Sequence, residues 1–257
     1  MPYFVTIETT GAPVELWLNG CAVSLFEPGE EGGPGRGSAT LEGYVLPGIN
    51  TIRVVVDPGP TPSRMLEPHP PVAAQARGEV KVFCPRSWDF DPDREPVVAR
   101  LVWEDQAAIA APRVGVVEFT APENRDVPLW WQAVPRAPDG DLLNLMARVQ
   151  AALDSGDIAA LVAFQRLSME ASRLASDQTI EERQQNLAGF LAEVLPEKPV
   201  TPHLARAEWD FRSFADGRLI DLIGRDWRPI VRRGNADRMT AIELRVGVIG
   251  GLWQVLL

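Results

Sequence analysis

Asp89, Asp91, Asp93 and Glu95 stand at every second position and form the densest run of hard oxygen donors in the chain. Carboxylates at this spacing open a calcium loop, which then needs glycine at its sixth position and glutamate at its twelfth. Those places hold Arg94 and Arg100, and Pro92 interrupts the run. A solvated acidic turn is expected, and no metal. The stretch Gly29–Gly37 has the glycine content of a phosphate loop but no Gly-Lys-Ser/Thr, and Glu30 and Glu31 would repel a phosphate. A flexible hairpin loop is expected there. Nucleophilic catalysis requires a base beside the nucleophile. The two histidines are His69, in Pro68-His-Pro-Pro, and His203, just after Pro202. There is no Gly-x-Ser-x-Gly, and Cys21 and Cys84 are scattered, so neither a hydrolytic triad nor a zinc site is expected.

Two further groups bear on binding. Trp130-Trp131 lies among Pro122, Pro128, Pro135 and Pro138. The pair is either an exposed aromatic platform or a buried plug between domains, and burial is the favoured reading. Glu208, Asp210 and Arg212, then Glu243 and Arg245, alternate with Trp209, Phe211, Ile242, Leu244 and Val246. Period two puts the charges on one sheet face and the apolar side chains on the other. Cross-strand ion pairs on a wet face are favoured over a polar pocket. The candidate ligand-binding residues are therefore Trp130, Trp131, His203, Asp210 and Glu243.

The elements that must carry these residues change character near residue 138. Residues 1–138 hold 19 of the 23 prolines. Proline is expelled from helix interiors and central strands. The first part should be short strands joined by proline-rich loops: Phe4–Glu8, Val14–Leu18, Ala22–Phe26, Ala39–Val45, Thr51–Val56, Glu79–Cys84, Val97–Glu104 and Arg113–Thr120. That number and spacing predict an all-β sandwich. The stretch 58–78 reads as a long loop, rich in proline up to Pro71.

The second part reads as helices and then strands. Asp141 opens a helix with Leu142, Leu145, Met146, Val149 and Leu153 on one stripe, closed by Ser155-Gly156. Asp157 caps a second helix, with Ile158, Leu161, Phe164, Leu167, Ala171 and Leu174. Thr179-x-x-Glu182 is a capping box for a third, stopped by Pro196 and Pro199. Five strands follow: Ala207–Phe214, Arg218–Gly224, Pro229–Arg233, Thr240–Val248 and Leu252–Leu257. Tight glycine turns between them predict an antiparallel meander. Trp253 should lie on the face turned to the helices.

Two resemblances follow from these residues. Val14-Glu-Leu-Trp-Leu-Asn-Gly together with Leu46-Pro-Gly-Ile-Asn-Thr-Ile-Arg-Val-Val-Val resembles galactose-binding-like jelly-roll domains. It implies a sugar-binding or accessory domain, and neither motif carries over a sugar contact. Helices followed by Phe214-Ala-Asp-Gly-Arg-Leu-Ile and a closing Gly250-Gly-Leu-Trp-Gln-Val-Leu resemble the cone-shaped nuclear transport factor 2-like (SnoaL-like) superfamily over 139–257. Enzymes of that superfamily place Asp, His or Tyr in the cone, and here the second half has no Tyr and only His203.

The expected fold is thus α+β in two domains. Residues 1–125 form a β-sandwich, 126–139 a linker, and 140–257 three helices on a five-stranded antiparallel sheet. Thirty-five acidic against 25 basic residues give a net charge of −10, which disfavours nucleic acid. Of the basic residues all but Lys81 and Lys198 are arginine, read as the codon bias of a GC-rich genome. No apolar run reaches membrane-spanning length, and Met1–Glu8 lacks the basic and apolar regions of a secretion signal. Few cysteines fit a reducing cytoplasm. The leading expectation is a soluble, non-catalytic binding or assembly protein. It takes a protein or small-molecule ligand and no cofactor, and homo-oligomers are compatible with it. The alternatives are a small-molecule enzyme with His203, Asp210 or Glu243 as acid or base, and a carbohydrate-binding accessory module.

Overall fold

The computed structural model describes residues 2–59, 75–86, 90–105, 111–171, 178–196, 209–224, 229–234, 239–242 and 244–257. The fold is α+β and mostly strands. It divides into two compact units, Met1–Pro128 and Leu129–Leu257. Among the described residues no helix is long and apolar enough to cross a membrane.

The first unit holds β1 (Phe4–Thr10), β2 (Val14–Leu18), β3 (Cys21–Phe26), β4 (Gly35–Thr40), β5 (Gly48–Val56), β6 (Ala76–Phe83), β7 (Val97–Asp105) and β8 (Arg113–Ala121). They form two four-stranded antiparallel sheets, in the orders β4-β1-β6-β7 and β3-β2-β5-β8. One core joins both sheets: Val5, Ile7, Val80 and Val82 from the first, Leu16, Leu18, Ile52 and Val54 from the second. Most of the expected 58–78 loop lies outside the described residues.

The fourth strand differs from expectation. Gly35-Arg-Gly37 is strand rather than loop, and it pairs with β1 in the register Glu8↔Arg36 and Ile7↔Gly37. The reason is space. A Cβ on Gly37 would sit 2.4 Å from a Phe26 ring carbon, and one on Gly35 would sit 2.2 Å from the Glu27 carbonyl oxygen. These glycines admit neighbours; they do not loosen the backbone. Leu41 and Val45, expected in that strand, are buried in the turn that follows it.

The second unit begins with α1 (Gly140–Ser155), α2 (Ile158–Phe164), α3 (Arg166–Ala171) and α4 (Ile180–Val194). Among the described residues four α-helices stand where three were expected, because the second one breaks at Gln165, whose N–H contacts the carbonyls of Leu161 and Val162. The cap of α1 is Asp139 rather than Asp141. Its Oδ1 accepts from the Asp141 and Leu142 amides at 3.1 Å each. Gly156 ends α1 at φ +68°, a conformation that costs glycine nothing. Asp157 caps α2, and Thr179 and Glu182 form the capping box of α4, as their spacing predicts.

Among the described residues six strands follow: β9 (Trp209–Phe214), β10 (Leu219–Gly224), β11 (Val231–Gly234), β12 (Met239–Ile242), β13 (Arg245–Ile249) and β14 (Leu252–Val255). The five-stranded sheet is not what forms. Four strands pair in the order β14-β13-β10-β9, while β11 and β12 make a separate two-stranded ribbon. The contact between β10 and the stretch before β11 is one bridge, Ile223↔Pro229, in which the Ile230 amide donates to the Leu222 carbonyl at 3.3 Å. The ribbon is held instead by α1. The Gln150 side chain donates to the Arg232 carbonyl at 3.1 Å and accepts from its amide at 3.2 Å, as a neighbouring strand would. Leu244, Val246, Trp253 and Val255 share a core with Leu142, Met146, Val149 and Leu161 of the helices, so the expected apolar face is the one packed.

Candidate functional site

Helix α1 turns Asp141, Asn144, Leu145 and Arg148 to one side, the i, i+3, i+4 and i+7 neighbours of a single face. Opposite them stand Phe164, Arg166 and Leu167, at the break between α2 and α3, where the chain bends at Gln165. The floor is β14, the edge strand of its sheet. Together they enclose a groove of about 530 Å³.

Its end nearest the start of α1 is held firmly. Trp253 is 7% exposed. Its indole N–H donates to Asp139 Oδ1 at 2.9 Å, and Arg136 stacks on the ring at 5.7 Å. Arg136 pairs with Asp139, reaches Asp141 Oδ2 at 3.1 Å and donates to the Gly251 carbonyl at 3.2 Å. Desolvation pushes the Asp139 carboxyl up. The Leu142 amide, the Trp253 indole and Arg136 outweigh it, and its pKa lies below the ordinary carboxylate value. A depressed carboxylate stabilises above its unfolded pKa, and that contribution is lost as pH falls through the lower folded value.

The groove's middle is chemically open. Arg148 lies over the Phe164 ring at 5.3 Å. Arg166 Nε is 3.5 Å from Glu170 Oε1 on the same helix. Leu252 is 67% exposed at the rim. The lining offers guanidinium and amide donors and apolar walls, which suit holding a ligand. Asp141, the one carboxylate among its described lining residues, is engaged by Arg136.

The residues anticipated from sequence do not gather here. Trp130 is fully buried, and Trp131 is 38% exposed in the same short turn, Leu129–Gln132. The two rings meet edge to face at 5.6 Å. Arg218 stacks on Trp131 at 4.6 Å and donates to the carbonyls of Trp131 and Ala133 at 2.9 Å each. Val134 then bridges to Val248, so this segment runs beside β13 where β10 has ended. Asp210 is half-buried on β9, and its Oδ1 accepts from the Phe211 amide at 2.9 Å. His203 and Glu243 lie outside the described residues, as do His69 and Asp89.

Of the charged residues expected on one sheet face, Arg212 is buried, Asp210 and Arg245 are half-buried, and Glu208 and Glu243 lie outside the described residues. Arg212 and Asp221 pair across β9 and β10 at 3.2 Å, with side chains only 5% and 12% exposed. Cross-strand pairing is present, but buried. In the acidic turn, Asp91 accepts from the Asp93 amide at 3.0 Å and pairs with Arg94 at 3.1 Å. Among the described residues no cluster of histidine, cysteine and carboxylate side chains could hold a metal.

Sequence reasoning missed the groove because its residues straddle elements that only folding brings together. One signal was available: Asn144 and Arg148, polar at i and i+4, flank the apolar Leu145 on the predicted stripe. No protein-family model, curated protein or solved structure gives a significant match to the chain.

Proposed function

We propose that this chain is a non-catalytic binding protein whose ligand lies in the groove between α1, the α2–α3 bend and β14. The observation that carries this reading is the groove's construction. A pocket of about 530 Å³ combines apolar walls with a few polar donors, the usual make-up of a small-molecule site. The helix layer on an antiparallel sheet supports the likeness of the second unit to nuclear transport factor 2-like domains. Two free cysteines, Cys21 buried and Cys84 half-buried, support a reducing, cytoplasmic setting.

The test uses Nile red, a neutral apolar fluorophore. The full chain should bind it at one saturable site with a blue-shifted emission. Ala163→Trp, at an exposed groove position, should fill the space and abolish the signal without lowering the melting temperature. Absence of binding to the full chain, or equal binding to the variant, overturns the reading.

A further inference from the structure

The charges around the groove are unevenly satisfied. Asp141, the lining carboxylate, is engaged by Arg136 at 3.1 Å. Arg166 has Glu170 at 3.5 Å. Arg148 has neither a hydrogen bond nor an ion pair among the described residues, and its guanidinium rests on the Phe164 ring. The side-chain amides of Asn144 and Gln254, in the same lining, likewise make no hydrogen bond among the described residues. Asn144 and Arg148 are one helical turn apart, so their donors face the same volume. The groove therefore presents one uncompensated positive charge flanked by neutral donors, against walls formed by Leu145, Leu167 and Val255.

We propose, resting on the binding reading above, that the ligand is a small organic acid. Its single carboxylate is held by Arg148 with Asn144 or Gln254, and its apolar body lies along the groove. A guanidinium presents paired N–H groups that match the two oxygens of a carboxylate. One unpaired guanidinium balances one negative charge, which favours a carboxylate over a phosphate dianion. In a protein of net charge −10, an anion site needs such a local positive group.

The probes are 3-phenylpropanoate, its neutral amide 3-phenylpropanamide, and 2-phenylethyl phosphate, titrated calorimetrically into the full chain at pH 7. The carboxylate should bind at 1:1 and displace Nile red. The amide should bind roughly tenfold more weakly, the order expected for losing one charge-assisted hydrogen bond. Arg148→Gln changes an exposed residue, so it should fold with an unchanged melting temperature and lose about the same factor for the carboxylate. The inference is overturned if the acid fails to bind, if acid and amide bind equally, if Arg148→Gln leaves the acid's affinity unchanged, or if the phosphate binds more tightly. In each of those cases retained Nile red binding leaves the groove itself standing. Loss of Nile red binding to the unaltered chain removes the groove reading as well.

Discussion

Glu42 is buried in the first unit with Arg125 as its ion-pair partner, and the Tyr3 backbone amide donates to its other oxygen. Arg125 also lies over the Tyr3 ring at 5.3 Å. Burial pushes the Glu42 carboxyl above its ordinary value, and Arg125 and the Tyr3 amide pull against that rise. Burial, with a hydrogen bond to Cys84, also pushes the Tyr3 phenol up to about 12. Replacing Arg125 by Met leaves a carboxylate in an apolar site without its counter-ion. The expected loss is about 3–5 kcal/mol near neutral pH, the usual result of breaking a buried pair from one side. The sign with pH follows from the raised pKa. The native state then holds a proton that the unfolded state releases, so stability is recovered as pH falls below the folded value and lost as pH rises through it. Denaturant melts of Arg125→Met at pH 5 and pH 8 should show the larger deficit at pH 8. Equal deficits would remove the uncompensated carboxylate as the cause.

At the scale of elements, what decides whether a segment was readable is whether its cause is local. The Asn19-Gly turn and the Pro47-Gly48-Ile49-Asn50-Thr51 run were legible because turn chemistry is written in adjacent residues. The structure joins them: Asn19 donates to Asn50 Oδ1 at 2.7 Å, and Asn50 donates to the Leu46 and Gly48 carbonyls at 2.8 and 2.9 Å. The capping box at Thr179 was legible for the same reason. β4 was not, because its glycines answer to Phe26 and Glu27, neighbours that no local pattern reveals. The break at Gln165 and the detachment of the β11–β12 ribbon were hidden too, since an unbroken apolar stripe does not show where packing bends a helix. Gly37→Ala tests the steric account of β4. A methyl group aimed into the Phe26 ring should destabilise by about 1–3 kcal/mol, the range for overpacking. The double variant Gly37→Ala with Phe26→Leu should recover part of that loss. If Gly37→Ala is as stable as the parent, the glycine is there for something other than room.

At the scale of the whole chain, where the second unit begins decides what it contains. A start at residue 140 keeps α1–α4 and β9–β14. It also removes the segment that completes them. Asp139 caps α1 and accepts from the Trp253 indole. Arg136 ties Asp139 to the Gly251 carbonyl, the Val134 amide bonds the Val248 carbonyl, and the carbonyls of Trp131 and Ala133 hold Arg218. A lost helix cap costs about 1 kcal/mol and each lost hydrogen bond about 0.5–1.5 kcal/mol. The deletion of 129–139 removes that cap and five such hydrogen bonds and should therefore cost about 4–8 kcal/mol. Against a total stability on the order of 5–15 kcal/mol for a small domain, that is a large share. Each unit has its own core and its own hydrogen-bonded sheets, so fragments 1–128 and 129–257 should each unfold cooperatively in calorimetry. Fragment 140–257 should melt at least about 10 °C below 129–257, since each kcal/mol moves the midpoint of a domain this size by several degrees. Equal midpoints for the two would mean that the residues from Leu129 to Asp139 are a connector after all, and that Trp253 needs no partner from them.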